Sequence, residues 1–529
     1  MNLTRTLTLA GLAGLAGAVV AAVPAAAGPP AIVWAPCPSA VTSTDRVPPE
    51  DLDRYRELVS TLQCGTLRVP LDYRRPGGKS ITIGFTRLPA ADRAHRQGTL
   101  AVNPGGPGGS AYLMPIDLSM SPTTAGLHDT YDLIGMDPRG VGYSTRATCD
   151  EPPSVAAAQE SRGLAAVTNP DALTREQALA IYADSVIKNR TCLAAQGEFL
   201  RQVTTENISR DLDAVRAGLG ERRISFFGVS WGTWFGSVYR SLFPSHVDRM
   251  WIDSSAPTRF YGNEFITARS TAAEAGADRM TVWIAQHDDV YHFGTTASAV
   301  KASLLALEQS LTDHPRVFTD LPKPVDAIVV ALSTVQPSPV WPLAAVVLAE
   351  MRDSHDGTPA PPHVKMVLGG DDGGGDGGDT PPPADAPQDF NDVMNHAAIC
   401  NEDFGRRDFD TAWNTYQQLS TLPLSGLLAQ FDAGCAGWDP VRPVTLKYST
   451  GALVLSGHRD ESVSIYPWTL QMQHAIGGTV LTVNDDVHGS VARTQDCSAL
   501  LVAYFRTGAL TSRQCEGEGE NPDPSDVRD

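Results

Sequence analysis

Apolar and polar residues alternate with a period of two early in the chain. Val69, Leu71 and Tyr73 alternate in one run and Ile81, Ile83 and Phe85 in another, with Pro76-Gly77-Gly78 between the two runs. Successive strand side chains point to opposite faces, so this period predicts strands over 65–73 and 80–88 joined by a turn. Short, mostly apolar runs follow at 98–102, 131–136, 224–227, 249–252, 452–455 and 479–483. Runs of this length read as strands buried on both faces. Between them the period lengthens. Ile208, Leu212, Val215 and Leu219 fall on one face of a helix predicted over 205–219, which Gly220 stops. Strands alternating with helices predict an α/β fold, a mostly parallel sheet with helices on both faces.

The rhythm breaks between 261 and 439. Helical spacing dominates there, for example at 297–311 and 342–351, and the stretch reads as a mainly helical insertion. It would divide a core into a first part, 28–260, and a C-terminal part, 440–515. Inside it, residues 369–379 are almost wholly Gly and Asp and 380–387 are rich in Pro. Such a composition buries no apolar area, so a disordered loop is expected. The Asp/Gly run does not have the spacing of an EF-hand or of calcium-binding nonapeptide repeats. Residues 516–529 form an acidic tail.

Residues 1–27 carry Arg5, an apolar stretch over 7–23 and then Ala25-Ala26-Ala27, the pattern of a cleaved export signal. Eight cysteines and no zinc-type spacing fit an exported chain with disulfides rather than a metal site. Eight cysteines allow about 105 pairings. Nearest-neighbour pairing would join Cys37–Cys64, Cys149–Cys192, Cys400–Cys435 and Cys497–Cys515. The formal net charge of −19 over 529 residues disfavours nucleic acid and anionic membranes as partners. It tolerates a cationic group on a substrate. The expectation is a secreted monomer with no membrane association after signal cleavage.

The chemistry concentrates in three places. Gly228-Val229-Ser230-Trp231-Gly232 follows an apolar run and precedes a helical stretch. That is a strand–turn–helix elbow lifting Ser230 clear of the chain as a nucleophile. In this fold the partners follow in the order serine, acid, histidine. His488, in the loop after the last strand, is the expected base. Asp460, in Gly457-His458-Arg459-Asp460 just after the strand at 452–455, is the expected acid. Asp253 is the alternative acid, and His458 is not the base merely by adjoining Asp460. The Gly-rich stretch from Asn103 to Ser110 follows another strand. The amide of Gly106 is expected to form an oxyanion hole with that of Trp231. The stretch lacks the lysine and the glycine spacing of phosphate-binding loops.

These residues together resemble the secreted tripeptidyl aminopeptidases and their proline-iminopeptidase relatives among the α/β-hydrolases. The resemblance runs from Val69-Pro70-Leu71-Asp72-Tyr73 to Cys515. It includes Asp137-Pro138-Arg139-Gly140, Asp211-Leu212-Asp213, Asn401-Glu402-Asp403 and Cys435-Ala436-Gly437-Trp438. It implies a serine exopeptidase that releases short peptides, tripeptides foremost, from a free amino terminus through an acyl-enzyme. The insertion would be a lid. No metal or other cofactor is required, and Glu402 and Asp403 are the candidates to bind the substrate amine. The chain departs from the family pattern at Trp231, where tyrosine is common, and after Asp460, where Glu461-Ser462-Val463-Ser464 replaces a Thr-Pro pair. A carboxylesterase or lipase with the same machinery, and a non-catalytic binding protein, are the competing readings.

Overall fold

The computed structural model describes residues 31–44, 47–149, 173–369, 389–441 and 444–520. The expected signal segment, the Gly/Asp/Pro-rich stretch after Gly369 and most of the acidic tail lie outside the described residues. Ten strands form one sheet: β1 (Ile32–Ala35), β2 (Gln63–Pro70), β3 (Ser80–Leu88), β4 (Gly98–Asn103), β5 (Tyr131–Met136), β6 (Ile224–Val229), β7 (Val247–Asp253), β8 (Leu453–His458), β9 (Thr479–Asn484) and β10 (Gln514–Glu516). Their spatial order is β1-β2-β3-β5-β4-β6-β7-β8-β9-β10. The first three pairings are antiparallel and the rest parallel. This is the mostly parallel sheet expected from the sequence pattern, in the α/β-hydrolase arrangement that the resemblance implies. Two short edge strands, β1 and β10, were not foreshadowed by it. The strand expected to reach residue 73 stops at Pro70, because Asp72 turns the chain by accepting the Arg74 amide at 2.9 Å.

Both faces of the sheet are covered, and neighbouring residues of a strand serve opposite sides. Phe226 packs with Ile208, Leu212, Val215 and Phe235 on one face. Phe227 packs with Ile116, Leu501 and Phe505 on the other. The segment between β7 and β8 is mainly helical, including Gly262–Gln286, Ala297–Asp313 and Trp341–Asp353. It closes a separate core around Met280, Leu304, Val330 and Trp341.

All four nearest-neighbour disulfides are present. They close loops of 27, 43, 35 and 18 residues. Each is worth on the order of 3 kcal/mol through the lost freedom of the unfolded chain. A buried ion pair adds a second kind of tie. Arg139, after β5, grips Asp211 through two bonds of 2.7 Å, and Tyr73 donates to the same carboxylate at 2.8 Å.

The chain order of the strands reverses between β4 and β6. In open α/β sheets the crevice at such a reversal, outside the carboxyl ends of the strands, is where ligands bind. The loop after β4 and the turn after β6 flank that crevice.

Candidate active site

Ser230 stands directly after β6 and heads the helix Trp231–Leu242 with φ +59° and ψ −126°. A non-glycine residue is held there against about 1–3 kcal/mol of backbone strain. The two flanking glycines are required by close approach rather than by turn shape alone. A Cβ on Gly228 would meet the Gly232 carbonyl at 2.6 Å, and one on Gly232 would meet the Asn103 carbonyl at 2.9 Å. The hydroxyl is thereby presented at the carboxyl edge of the sheet. The Ser230 amide is tied to the Asp253 carbonyl of β7 at 2.9 Å.

The loop after β9 brings His488 to the same edge. A Cβ on Gly489 would lie 2.7 Å from Val229, the residue before the serine. The Gly489 amide donates to the Ser254 hydroxyl at 2.9 Å. Ser230 and Gly489, the residue after His488, are thus each one hydrogen bond from the pair Asp253-Ser254. The His488 side chain remains 30% exposed, open to a substrate, while the carboxylate behind it is wholly buried.

That carboxylate corrects the sequence reading. His488 Nδ1 bonds Glu461 Oε1 at 2.5 Å, and Asp460 does not reach the imidazole. After His458 the chain turns, with the Asp460 amide held by the Asp485 carbonyl at 3.1 Å. This turn sends the Asp460 side chain outward. It is 44% exposed and sits 3.8 Å from the Arg279 guanidinium of the insertion. The next residue points inward, and its extra methylene spans the remaining distance. Glu461 also accepts the Ser464 amide at 2.7 Å and the Ser254 hydroxyl at 3.0 Å. Its position immediately after Asp460 was the only sequence signal for it. Ser254, with φ +56°, carried none.

The alternative acid, Asp253, is engaged elsewhere. It faces His458 Nε2 at 3.0 Å and accepts from Ser456 Oγ at 2.6 Å.

The Gly-rich loop after β4 packs on the elbow from the other side. A Cβ on Gly105 would come within 2.9 Å of Ser230 Cβ and 3.1 Å of the Trp231 amide nitrogen. The Gly105 amide is spent on Asn103 Oδ1 at 3.1 Å. Gly106 follows it at an exposed position. Asp137, after β5, steadies the far end of this loop by accepting from Ser110 Oγ at 2.7 Å and from the Ala111 amide at 3.2 Å.

The two expected amine-binding residues differ sharply. Asp403 accepts the amides of Gly262 and Gly405 at 3.0 and 2.8 Å and pairs with Arg407 at 3.5 Å. Its charge is compensated within the protein. Glu402 accepts from the Thr205 amide at 2.6 Å, from the Thr205 hydroxyl at 2.9 Å and from Trp234 Nε1 at 2.6 Å. It forms no ion pair with a basic side chain among the described residues, and the nearby charge is that of Glu206. Burial raises its carboxyl pKa, against the hydrogen bonds from Thr205 and Trp234. Trp234 lies four residues after Ser230, so Glu402 sits against the first turn of the elbow helix. Among the described residues no cluster of three or more His, Cys, Asp or Glu could hold a metal ion.

An elbow serine, a carboxylate-bound imidazole and a glycine-lined backbone corner at one sheet edge can carry out acyl transfer. Comparison with known proteins agrees. The family described as alpha/beta hydrolase fold matches residues 98–306, and that described as TAP-like protein matches 425–516. Over 485 residues the chain is 28% identical to the tripeptidyl aminopeptidase of Streptomyces coelicolor, covering 88% of this chain and 84% of that one. It is 26% identical over 486 residues to the serine protease Hip1 of Mycobacterium tuberculosis, covering 85% of each. A shorter match, 34% over 164 residues, joins it to a carboxylesterase B of the same species, with 30% of this chain and 29% of that one aligned.

Proposed function

The chain belongs to the α/β-hydrolases with a tripeptidyl-aminopeptidase-like C-terminal region, and on that premise we propose an exported serine exopeptidase that releases short peptides, tripeptides foremost, from free amino termini. Ser230 Oγ attacks the scissile carbonyl and His488 Nε2 takes its proton. Glu461, on Nδ1, holds the tautomer and stabilises the imidazolium that forms. The amides of Trp231 and Gly106 receive the developing oxyanion. His488 then protonates the leaving amine, and water, activated by the same imidazole, releases the acyl group. The single observation that supports this reading is the bond between His488 and the buried Glu461 on a loop that packs against Val229, the residue before the strained Ser230.

Glu402 distinguishes a peptidase from an esterase. A buried carboxylate without a cation is costly unless a partner arrives, and a substrate α-ammonium is such a partner. The helical insertion serves as the lid that limits how much chain enters. Four disulfides suit an oxidising compartment outside the cell. The partners are peptides, and the chemistry needs no cofactor.

The test compares a tripeptide anilide with a free amine, its N-acetylated form and a short acyl ester, with products identified by mass spectrometry. The free-amine substrate should be cleaved best, with the intact tripeptide released. Glu402→Gln should raise KM for it about 10- to 100-fold, the scale of a lost charge-assisted bond, and leave ester turnover unchanged. Turnover of esters alone would favour the carboxylesterase reading that the shorter match to carboxylesterase B supports.

A further inference from the structure

A second histidine–carboxylate cluster lies directly behind the first and takes no part in the acyl-transfer steps. His458 ends β8 with a side chain 0% exposed. Its Nε2 lies 3.0 Å from Asp253 Oδ1 at the end of β7, and its Nδ1 lies 2.6 Å from Asp485 Oδ1 just after β9. Both carboxylates are 0% exposed. A neutral imidazole has one N–H, so it can donate to only one of them. The other nitrogen would then point a lone pair at a carboxylate. With both aspartates ionised, two short contacts require two N–H groups.

We propose that His458 is held as an imidazolium between Asp253 and Asp485, a positioning residue that pins the carboxyl ends of three adjacent strands and offsets one of the two buried negative charges behind the catalytic base. The proposal rests on the serine-hydrolase reading of the site only for its effect on turnover. What is pinned is the catalytic frame itself. Asp253 precedes Ser254, which bonds both Glu461 and the Gly489 amide. His458 lies three residues before Glu461, and Asp485 three before His488. The Ser490 hydroxyl and the Glu518 amide complete the Asp485 shell at 2.6 and 3.0 Å. Ser456 completes that of Asp253, itself fixed by Trp251 Nε1 at 2.8 Å. Asp253 Oδ2 is buried without a hydrogen-bond partner among the described residues, and the charge of His458, ahead of that of His488, acts to hold this aspartate ionised. Burial alone would lower the His458 pKa, but Asp253 first and Asp485 next overcome it and push it up to about 10.

The charges facing His488 are Glu461 on its own Nδ1 and Asp253 behind it, while Arg493 bonds its carbonyl at 3.2 Å. Removing the His458 charge therefore leaves the base beside an uncompensated carboxylate. Removing the Asp253 charge does the reverse.

The first measurement is nitrogen-15 NMR of histidine-labelled full-length protein, with His458 assigned by its loss in His458→Asn. Both ring nitrogens should read as protonated from pH 6 to 8.5. A neutral tautomer at pH 7 would overturn the proposal, and this readout stands whatever the enzyme's substrate. The second is the pH profile of kcat/KM on whichever substrate turns over. The acidic limb should move to higher pH in His458→Asn and to lower pH in Asp253→Asn. Equal losses at every pH in both variants would indicate packing alone and sink the electrostatic role. Fluorophosphonate labelling of Ser230 separates this outcome from loss of the nucleophile, which would count against the proposed function instead.

Discussion

Two neighbouring carboxylates, Asp460 and Glu461, occupy opposite worlds one residue apart. Glu461 is fully buried on the imidazole, whereas Asp460 is 44% exposed. Glu461→Gln keeps the shape but removes the charge that stabilises the imidazolium and selects its tautomer. It should lower kcat about 10³- to 10⁴-fold. Asp460→Asn should change kcat/KM only a few-fold, as measured on the same substrate. The reverse ranking would return the acid to Asp460. At this scale the elbow serine and His488 were legible as candidates, because G-x-S-x-G between a strand and a helix and a lone histidine in the loop after β9 are local signals. The acid was not, because two adjacent carboxylates differ only in which way a three-residue turn faces.

At the scale of elements, the insertion grips both catalytic loops. Arg279 of the helix Gly262–Gln286 donates to the Asp460 carbonyl at 2.9 Å and lies 3.8 Å from the Asp486 carboxylate. Ser338 donates its amide and hydroxyl to that carboxylate at 2.9 and 2.8 Å. Asp460 thus belongs to a clasp between the insertion and the core rather than to the His488 pair. Arg279→Gln should lower kcat about 10-fold, the scale of a slightly misplaced catalytic group, with KM less affected. Because the pair is part-exposed, added salt should bring wild type toward the variant; kcat measured at low and high salt checks both points. An unchanged kcat would show that the loops hold their geometry unaided. The helices at 205–219, 297–311 and 342–351 were visible from their period. The grip of Arg279 and Ser338 on the loops was not, since it joins residues more than a hundred positions apart.

At the scale of the whole molecule, the His458 cluster links pH to stability. Its pKa is pushed up to about 10, above the ordinary 6.5. A group raised on folding stabilises fully below its unfolded value and loses that contribution as pH rises through its folded value. The unfolding free energy from chemical denaturation should therefore decline between pH 6.5 and about 10 in the wild type, and His458→Asn should lack that component of the slope. Matching slopes would remove the charge from His458. The disulfides, by contrast, hold the same framework at either end of this range. The sheet order was largely implicit in the alternation of strands and helices, but the edge strands β1 and β10 were too short to carry a period. Cys37–Cys64 and Cys497–Cys515 lie beside them and fasten both edges.

The sequence by itself determined the α/β class, the elbow serine and the histidine in the loop after β9, and offered the four cysteine pairs as the nearest-neighbour choice among about 105. Each is written in a period, a spacing or a turn within a few residues or, for the cysteines, in proximity along the chain. Only the tertiary structure decided which carboxylate serves His488, that Glu402 rather than Asp403 is left without a cation, and that His458 joins two aspartates. Those outcomes depend on which side chains a particular turn buries and on groups brought together from separate strands, and burial and convergence are properties of the folded chain.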